Sequence, residues 1–147
     1  MLKDLCLLNG TSGREDAVRN YIIEKIKDKC EYSVDALGSV IAFKKGRKAP
    51  DKKVLVAAHT DEVGFIITDI TDDGYLRFAP VGGIDAAVVL GRRVDINGIK
   101  GVVGAKAVHL LSDDEKKNEP AFDKLAIDIG AADKAEAEKA VSLGDCA

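Results

Sequence analysis

His59 and Asp61 are the residues whose types and spacing best fit metal chemistry. They sit in the string Ala57-Ala58-His59-Thr60-Asp61-Glu62, at the end of the apolar run Val54-Leu55-Val56-Ala57-Ala58. In extended backbone, residues two apart project to one face, so both side chains point the same way and Glu62 points to the other. A neutral imidazole binds a divalent metal through one ring nitrogen. A carboxylate can orient that ring through the other nitrogen, or bind the metal itself. A strand-end histidine paired with an acid meets the same spacing, so His-x-Asp by itself leaves both readings open. Glu62 reads as structural.

Such a pair needs a rigid element behind it. Residues 54–58 form a continuous apolar run, the kind buried on both faces of a sheet. Open α/β sheets bind ligands at the carboxyl ends of their strands, where His59 would stand. Upstream, residues 5–8 predict a short helix broken by Asn9-Gly10. Residues 11–30 predict an amphipathic helix, with Ser12 and Glu15 as a capping box and Val18, Tyr21, Ile22, Ile26 and Cys30 at helical spacing. Residues 34–43 predict two short strand pieces about Gly38-Ser39, and residues 46–51 a polar loop. Residues 1–61 thus read as the opening of an α/β sheet domain.

Beyond Glu62 the texture changes to short strands with regular turn signals. Residues 63–70 and 75–79 flank the hairpin turn Asp73-Gly74, and residues 88–96 and 99–103 flank Asn97-Gly98. This pattern predicts a small β-barrel or sandwich. Residues 112–120 predict a charged, solvated loop and residues 125–129 a strand. Asp133 with Glu136 then caps a helix running to Ser142, with Gly144 as its C′ residue and no closing element after it. Asp69, Asp72, Asp73, Asp95 and Asp128 read as turn and surface acids.

The composition narrows the function classes. Of 147 residues 46% are apolar and 32% charged, with a net charge of −3. That balance carries no electrostatic footprint for nucleic acid and no polybasic membrane patch. No apolar run has the length of a membrane span, and Met1-Leu2-Lys3-Asp4 does not open a secretory signal. The three cysteines lack Cys-x-x-Cys spacing and read as thiols of a reducing cytosol, so the expected location is cytoplasmic. No Gly-rich segment has Walker or dinucleotide form. Ser12 lacks the Gly-x-Ser-x-Gly elbow of a nucleophile and reads as a helix cap. Asp61 and Glu62, adjacent on opposite faces, do not make the carboxylate pair of a glycosidase.

The string Ala58-His59-Thr60-Asp61-Glu62-Val63-Gly64-Phe65 resembles the His-x-Asp-Glu-x-Gly-Phe signature of the TET-type dinuclear metalloaminopeptidases, the glutamyl aminopeptidase and "endoglucanase M"-like family. Ser12-Gly13-x-Glu15 with Val18-Arg19 is similar to that family's first helix. Asp35-Ala36-Leu37-Gly38-Ser39 resembles its Asp-x-Leu-Gly-Asn strand, with Ser39 in place of Asn. Val81-Gly82-Gly83, the stretch from Gly101 through Gly104 and Lys106 to His109, and Ile127-Asp128-Ile129-Gly130-Ala131 follow in family order.

The resemblance implies a zinc-peptidase-like mixed sheet with a flanking helix. Residues 1–61 would be the N-terminal part of the catalytic domain, and residues 62–147 an inserted small β-barrel or PDZ-like module for dimerisation and assembly into a dodecamer. It implies that His59 is a ligand of one of two divalent metals, zinc or cobalt, and that Asp61 is the catalytic residue orienting it. It implies peptide substrates that lose their N-terminal residues, with a glutamate as general base. His109 is a possible intersubunit or structural residue. In the family the remaining ligands and the base lie C-terminal to the module, so no general base is expected in this chain. The chain then resembles the first two-fifths of the enzyme. Alone, it is expected to bind metal weakly or not at all and to be inactive. The alternative expectation is a non-catalytic assembly or regulatory fragment acting through the β module.

Overall fold

The structure, a computed structural model, describes residues 1–48, 52–107, 109 and 121–147. The loop expected at residues 112–120 lies outside them, as does part of that at residues 46–51. The architecture is mixed α/β, and the chain divides into two compact units, Met1–Glu62 and Val63–Ala147. Among the described residues no helix is long and apolar enough to cross a membrane.

The first unit opens with a single helical turn, α1 (Leu2–Leu5), followed by α2 (Asp16–Ile26) and a hairpin of β1 (Glu31–Val34) and β2 (Val40–Phe43). Strands β1 and β2 pair antiparallel from Glu31↔Phe43 to Val34↔Val40. Their loop is held by Asp35, whose Oδ1 accepts from the amides of Leu37 (2.9 Å) and Ser39 (2.8 Å). Gly38 takes a φ of +91° at the turn, which a side chain would strain.

Two expectations fail in this unit. Helix α2 begins at Asp16 rather than near Thr11. Its N-cap is Glu15, with no side-chain capping bond, and Ser12 is committed elsewhere. Residues 54–58 carry no strand assignment, and Val54, Leu55 and Val56 stand 88–89% exposed. The physical reason is that a strand is a paired object. Its N–H and C=O groups need a ladder, and no described residue supplies one beside this run.

The second unit is a five-stranded antiparallel sheet in the order β3-β4-β7-β6-β5, with β3 (Gly64–Ile70), β4 (Leu76–Val81), β5 (Arg93–Ile96), β6 (Ile99–Ala105) and β7 (Leu125–Asp128). Asn97 (φ 52°) and Gly98 (φ 95°) make the two-residue turn that their types favour. The core is the inward face of this sheet: Ile67, Leu76, Ile96, Val103, Leu125 and Ile127 are all but completely buried. Phe65, Phe78 and Phe122 cluster at one side, with the Phe65 and Phe78 rings edge to face at 4.8 Å. Helix α4 (Lys134–Ala140) closes on the core with Ala137. Asp133 caps it, accepting from the Glu136 amide at 2.8 Å.

Three local expectations are corrected here. Val88 and Val89 belong to a helical turn, α3 (Ala86–Val89), because Asp85 accepts from the Ala87 amide and starts a helix where the apolar run suggested a strand. Gly144 is not the C′ residue of α4. That helix ends at Ala140, and Gly144 (φ 87°) instead donates its amide to the Ile67 carbonyl at 2.9 Å. The last residues do provide a closing element. Phe65 and Ala147 exchange amide–carbonyl bonds of 2.8 and 2.9 Å, the Ile67 amide donates to Asp145, and Cys146 bridges to Ile66. The otherwise free edge of β3 is thereby paired.

Candidate metal half-site

The site residues lie on two irregular segments of the first unit, residues 9–13 and 59–62, which run side by side. Thr11 and Glu62 form a parallel bridge. The Glu62 amide donates to the Gly10 carbonyl (2.8 Å), and the Ser12 amide donates to the Glu62 carbonyl (3.3 Å). Glu62 closes the clamp with its side chain, Oε1 accepting from the Gly10 amide at 3.2 Å. Thr11 is 2% exposed, and its amide and hydroxyl both donate to Asn9 Oδ1. Gly10 permits the close approach. A Cβ there would lie 2.9 Å from Val18 Cγ2 and 3.2 Å from the Thr60 carbonyl oxygen.

This clamp presents His59 and Asp61 together. His59 Nδ1 lies 3.0 Å from Asp61 Oδ1 and 3.0 Å from the Asp61 carbonyl oxygen. Both neighbours are acceptors, so they favour a proton on Nδ1, and in the neutral ring that leaves Nε2 as the nitrogen able to bind a metal. The other carboxylate oxygen, Oδ2, accepts the Ser12 hydroxyl at 2.5 Å. The Ser12 hydroxyl, and after it the His59 ring, hold the Asp61 carboxyl below the ordinary aspartate range. Asp61 is therefore ionised near neutral pH and acts as an acceptor towards both partners. The His59 side chain is 84% exposed, and Nε2 takes no part in these bonds.

The structure thus brings His59 and Asp61 together and adds Ser12. His109 is exposed and belongs to the second unit. Among the described residues no group of three or more His, Cys, Asp or Glu side chains is gathered to hold a metal ion. A catalytic zinc needs about three protein ligands and an open position. The donor set here fits one corner of such a site: one imidazole nitrogen, with a carboxylate fixing the other. Ser12 was legible only as a cap. The available signal was Gly13, whose φ of +85° belongs to the turn closed by the Arg14 amide on the Thr11 carbonyl (2.8 Å). That turn places Ser12 outside the helix.

Residues 38–147 match the sequence profile of the M42 glutamyl aminopeptidases. The chain belongs to the M42 glutamyl aminopeptidase family. It is 44% identical over 149 residues to a putative aminopeptidase of Acetivibrio thermocellus, covering 100% of this chain and 43% of that protein. Among solved structures it is similar to an endoglucanase (tm1049) from Thermotoga maritima, at 40% identity and a TM-score of 0.84 over 99% of this chain and 43% of that one. It is also similar to the TET1 peptidase of Pyrococcus horikoshii, which can assemble into a tetrahedron or a large octahedral shell. That match has 41% identity and a TM-score of 0.81, over 99% of this chain and 44% of that one. The chain spans little more than two-fifths of the length of these relatives.

Proposed function

We propose that the chain supplies the N-terminal portion of a metal-dependent aminopeptidase that removes N-terminal residues from peptides. In this reading residues 1–61 belong to a zinc-peptidase-like catalytic sheet, and residues 62–147 form a PDZ-like inserted module through which copies of the chain associate. The observation that carries the reading is the His59–Asp61 pair, with Nδ1 fixed by a carboxylate and a carbonyl and Nε2 left as a donor. A divalent metal, zinc or cobalt, would when bound supply the Lewis acidity that polarises a scissile carbonyl and activates water. His59 would hold it through Nε2, and Asp61 would fix the ring orientation and raise its basicity. Family membership and the aminopeptidase relative support the reaction class. The assembled TET1 peptidase supports self-association. The exposure of Val54, Leu55 and Val56 supports a sheet completed by further chain.

The endoglucanase label of the Thermotoga maritima neighbour does not suit these carboxylates. Glycosidases need two carboxyl groups flanking a sugar bond. Asp61 is engaged with Ser12 and His59, and Glu62 with the Gly10 amide.

The test joins residues 1–147 to the C-terminal remainder of the Acetivibrio thermocellus relative and assays aminoacyl-p-nitroanilides. The chimera is expected to hydrolyse them with zinc or cobalt, and to lose activity with a chelator or with His59→Ala. The 147-residue chain alone is expected to show negligible hydrolysis. A folded chimera whose activity ignores His59→Ala would overturn the assignment.

A further inference from the structure

We infer that Ser12 is a positioning residue for His59, acting through Asp61. The inference rests on the metal-site reading above and extends it to a residue that the sequence pattern presents as a helix cap. The Ser12 hydroxyl donates to Asp61 Oδ2 at 2.5 Å, while Oδ1 of the same carboxylate receives His59 Nδ1–H at 3.0 Å. An exposed aspartate held by one hydrogen bond still samples rotations about its side-chain bonds. Held at both oxygens it has one orientation left, and that orientation places an acceptor on Nδ1. Which imidazole nitrogen bears the proton is decided by the partner of the other. Fixing Asp61 therefore fixes the donor atom that His59 offers a metal.

Ser12 is itself anchored. Its amide bonds the carbonyl of Glu62, the residue after Asp61, and the turn through Gly13 holds it there. Donor and acceptor thus sit on two segments already joined by the Thr11–Glu62 bridge, so the bond adds orientation with little further ordering. Helix α2 gains nothing from this hydroxyl, since it makes no capping bond. A hydroxyl aimed at an ionised carboxylate makes one of the stronger hydrogen bonds available to a serine.

The test is imidazole 15N NMR of the full 147-residue chain without added metal, at pH 8, where an ordinary histidine is neutral. The chain has only two histidines, so His109→Gln identifies the His59 signals. In the wild type the Nδ1–H form should dominate. Ser12→Ala should lower the ratio of Nδ1–H to Nε2–H about fivefold, in line with the loss of a charge-assisted hydrogen bond at a solvated site. Ser12→Thr, which keeps the hydroxyl, should restore the wild-type ratio. An unchanged ratio in Ser12→Ala, while Asp61→Asn shifts it, would overturn the role of Ser12 and leave the His59–Asp61 pairing standing. If neither variant moves the ratio, the pairing itself is wrong, and the inference falls with it. A Ser12→Thr protein that behaves like Ser12→Ala would also count against the inference.

Discussion

Substituting Gly10 by alanine tests whether the clamp holds the segments that carry Ser12, His59 and Asp61 together. The new Cβ would meet Val18 Cγ2 at 2.9 Å and the Thr60 carbonyl oxygen at 3.2 Å. Val18 is buried, and Thr60 belongs to the backbone of the site segment, so only the methyl contact can yield easily. Gly10 cannot back away without loss, because its carbonyl and amide both bond Glu62. Overpacking of this kind costs about 1–3 kcal/mol. The entropy that alanine removes from the unfolded chain offsets about 0.4–1 kcal/mol of it. A net loss of about 1–2 kcal/mol is expected in the local stability of the clamp, which is roughly a tenfold faster amide exchange at Glu62. Native-state hydrogen exchange reads this amide directly. A double-mutant cycle with Val18→Ala, which removes the nearer obstacle, should recover about 1 kcal/mol as a coupling energy. If Gly10→Ala leaves the Glu62 amide as protected as in the wild type, the close packing described here is not what holds the two segments.

Ile127→Ala removes a fully buried side chain from the centre of the sheet and should cost about 2–5 kcal/mol in urea unfolding, against near-neutral behaviour for the exposed Val102→Ala. Asp95 is held below the ordinary carboxylate range by Lys100 first and by the Gly98 amide second. A depressed folded pKa contributes stability above the unfolded value and loses it as the pH falls through the folded one, so the Asn97-Gly98 hairpin should weaken only in acid. Carboxyl 13C titration should place the Asp95 midpoint below that in Lys100→Ala, and equal midpoints would refute the pairing. Asp133→Ala should lower the stability of α4 by about 1 kcal/mol, through loss of the cap on the Glu136 amide, as read by exchange in its first turn.

The parts of the fold that were legible are those set by local chemistry. Asn97-Gly98 dictates a left-handed turn, Gly38-Ser39 separates two strands, and Asp133 starts a helix by its own side chain. The misreadings arose where a residue had two local options and a distant partner chose. Ser12 had the spacing of a cap, but the chain turns at Gly13 and α2 begins only at Asp16, so no helix amide is within its reach and its hydroxyl donates to the carboxylate at position 61 instead. Gly144 had the place of a helix terminator, and the free edge of β3 claimed it. The apolar run at residues 54–58 spells a buried strand, yet burial and pairing come from neighbours that a local pattern cannot contain. Of the site, the pairing of His59 with Asp61 was legible because two-residue spacing in extended chain puts both on one face. The clamp by residues 10–12 was not, since nothing in Asn9-Gly10-Thr11 announces a partner fifty residues on.

In the proposed function His59 offers Nε2 to a divalent metal while Asp61 holds Nδ1. Adding zinc to the chimera of residues 1–147 with the C-terminal remainder of the Acetivibrio thermocellus relative, with the His59 and His109 rings assigned by His→Gln variants and followed by 15N NMR, tests it most directly. The His59 Nε2 resonance should move on zinc addition while Nδ1 stays protonated, with His109 unaffected. Zinc captured at His109 with His59 unmoved, or bound at His59 through Nδ1 with the hydrogen bond to Asp61 broken, would contradict it.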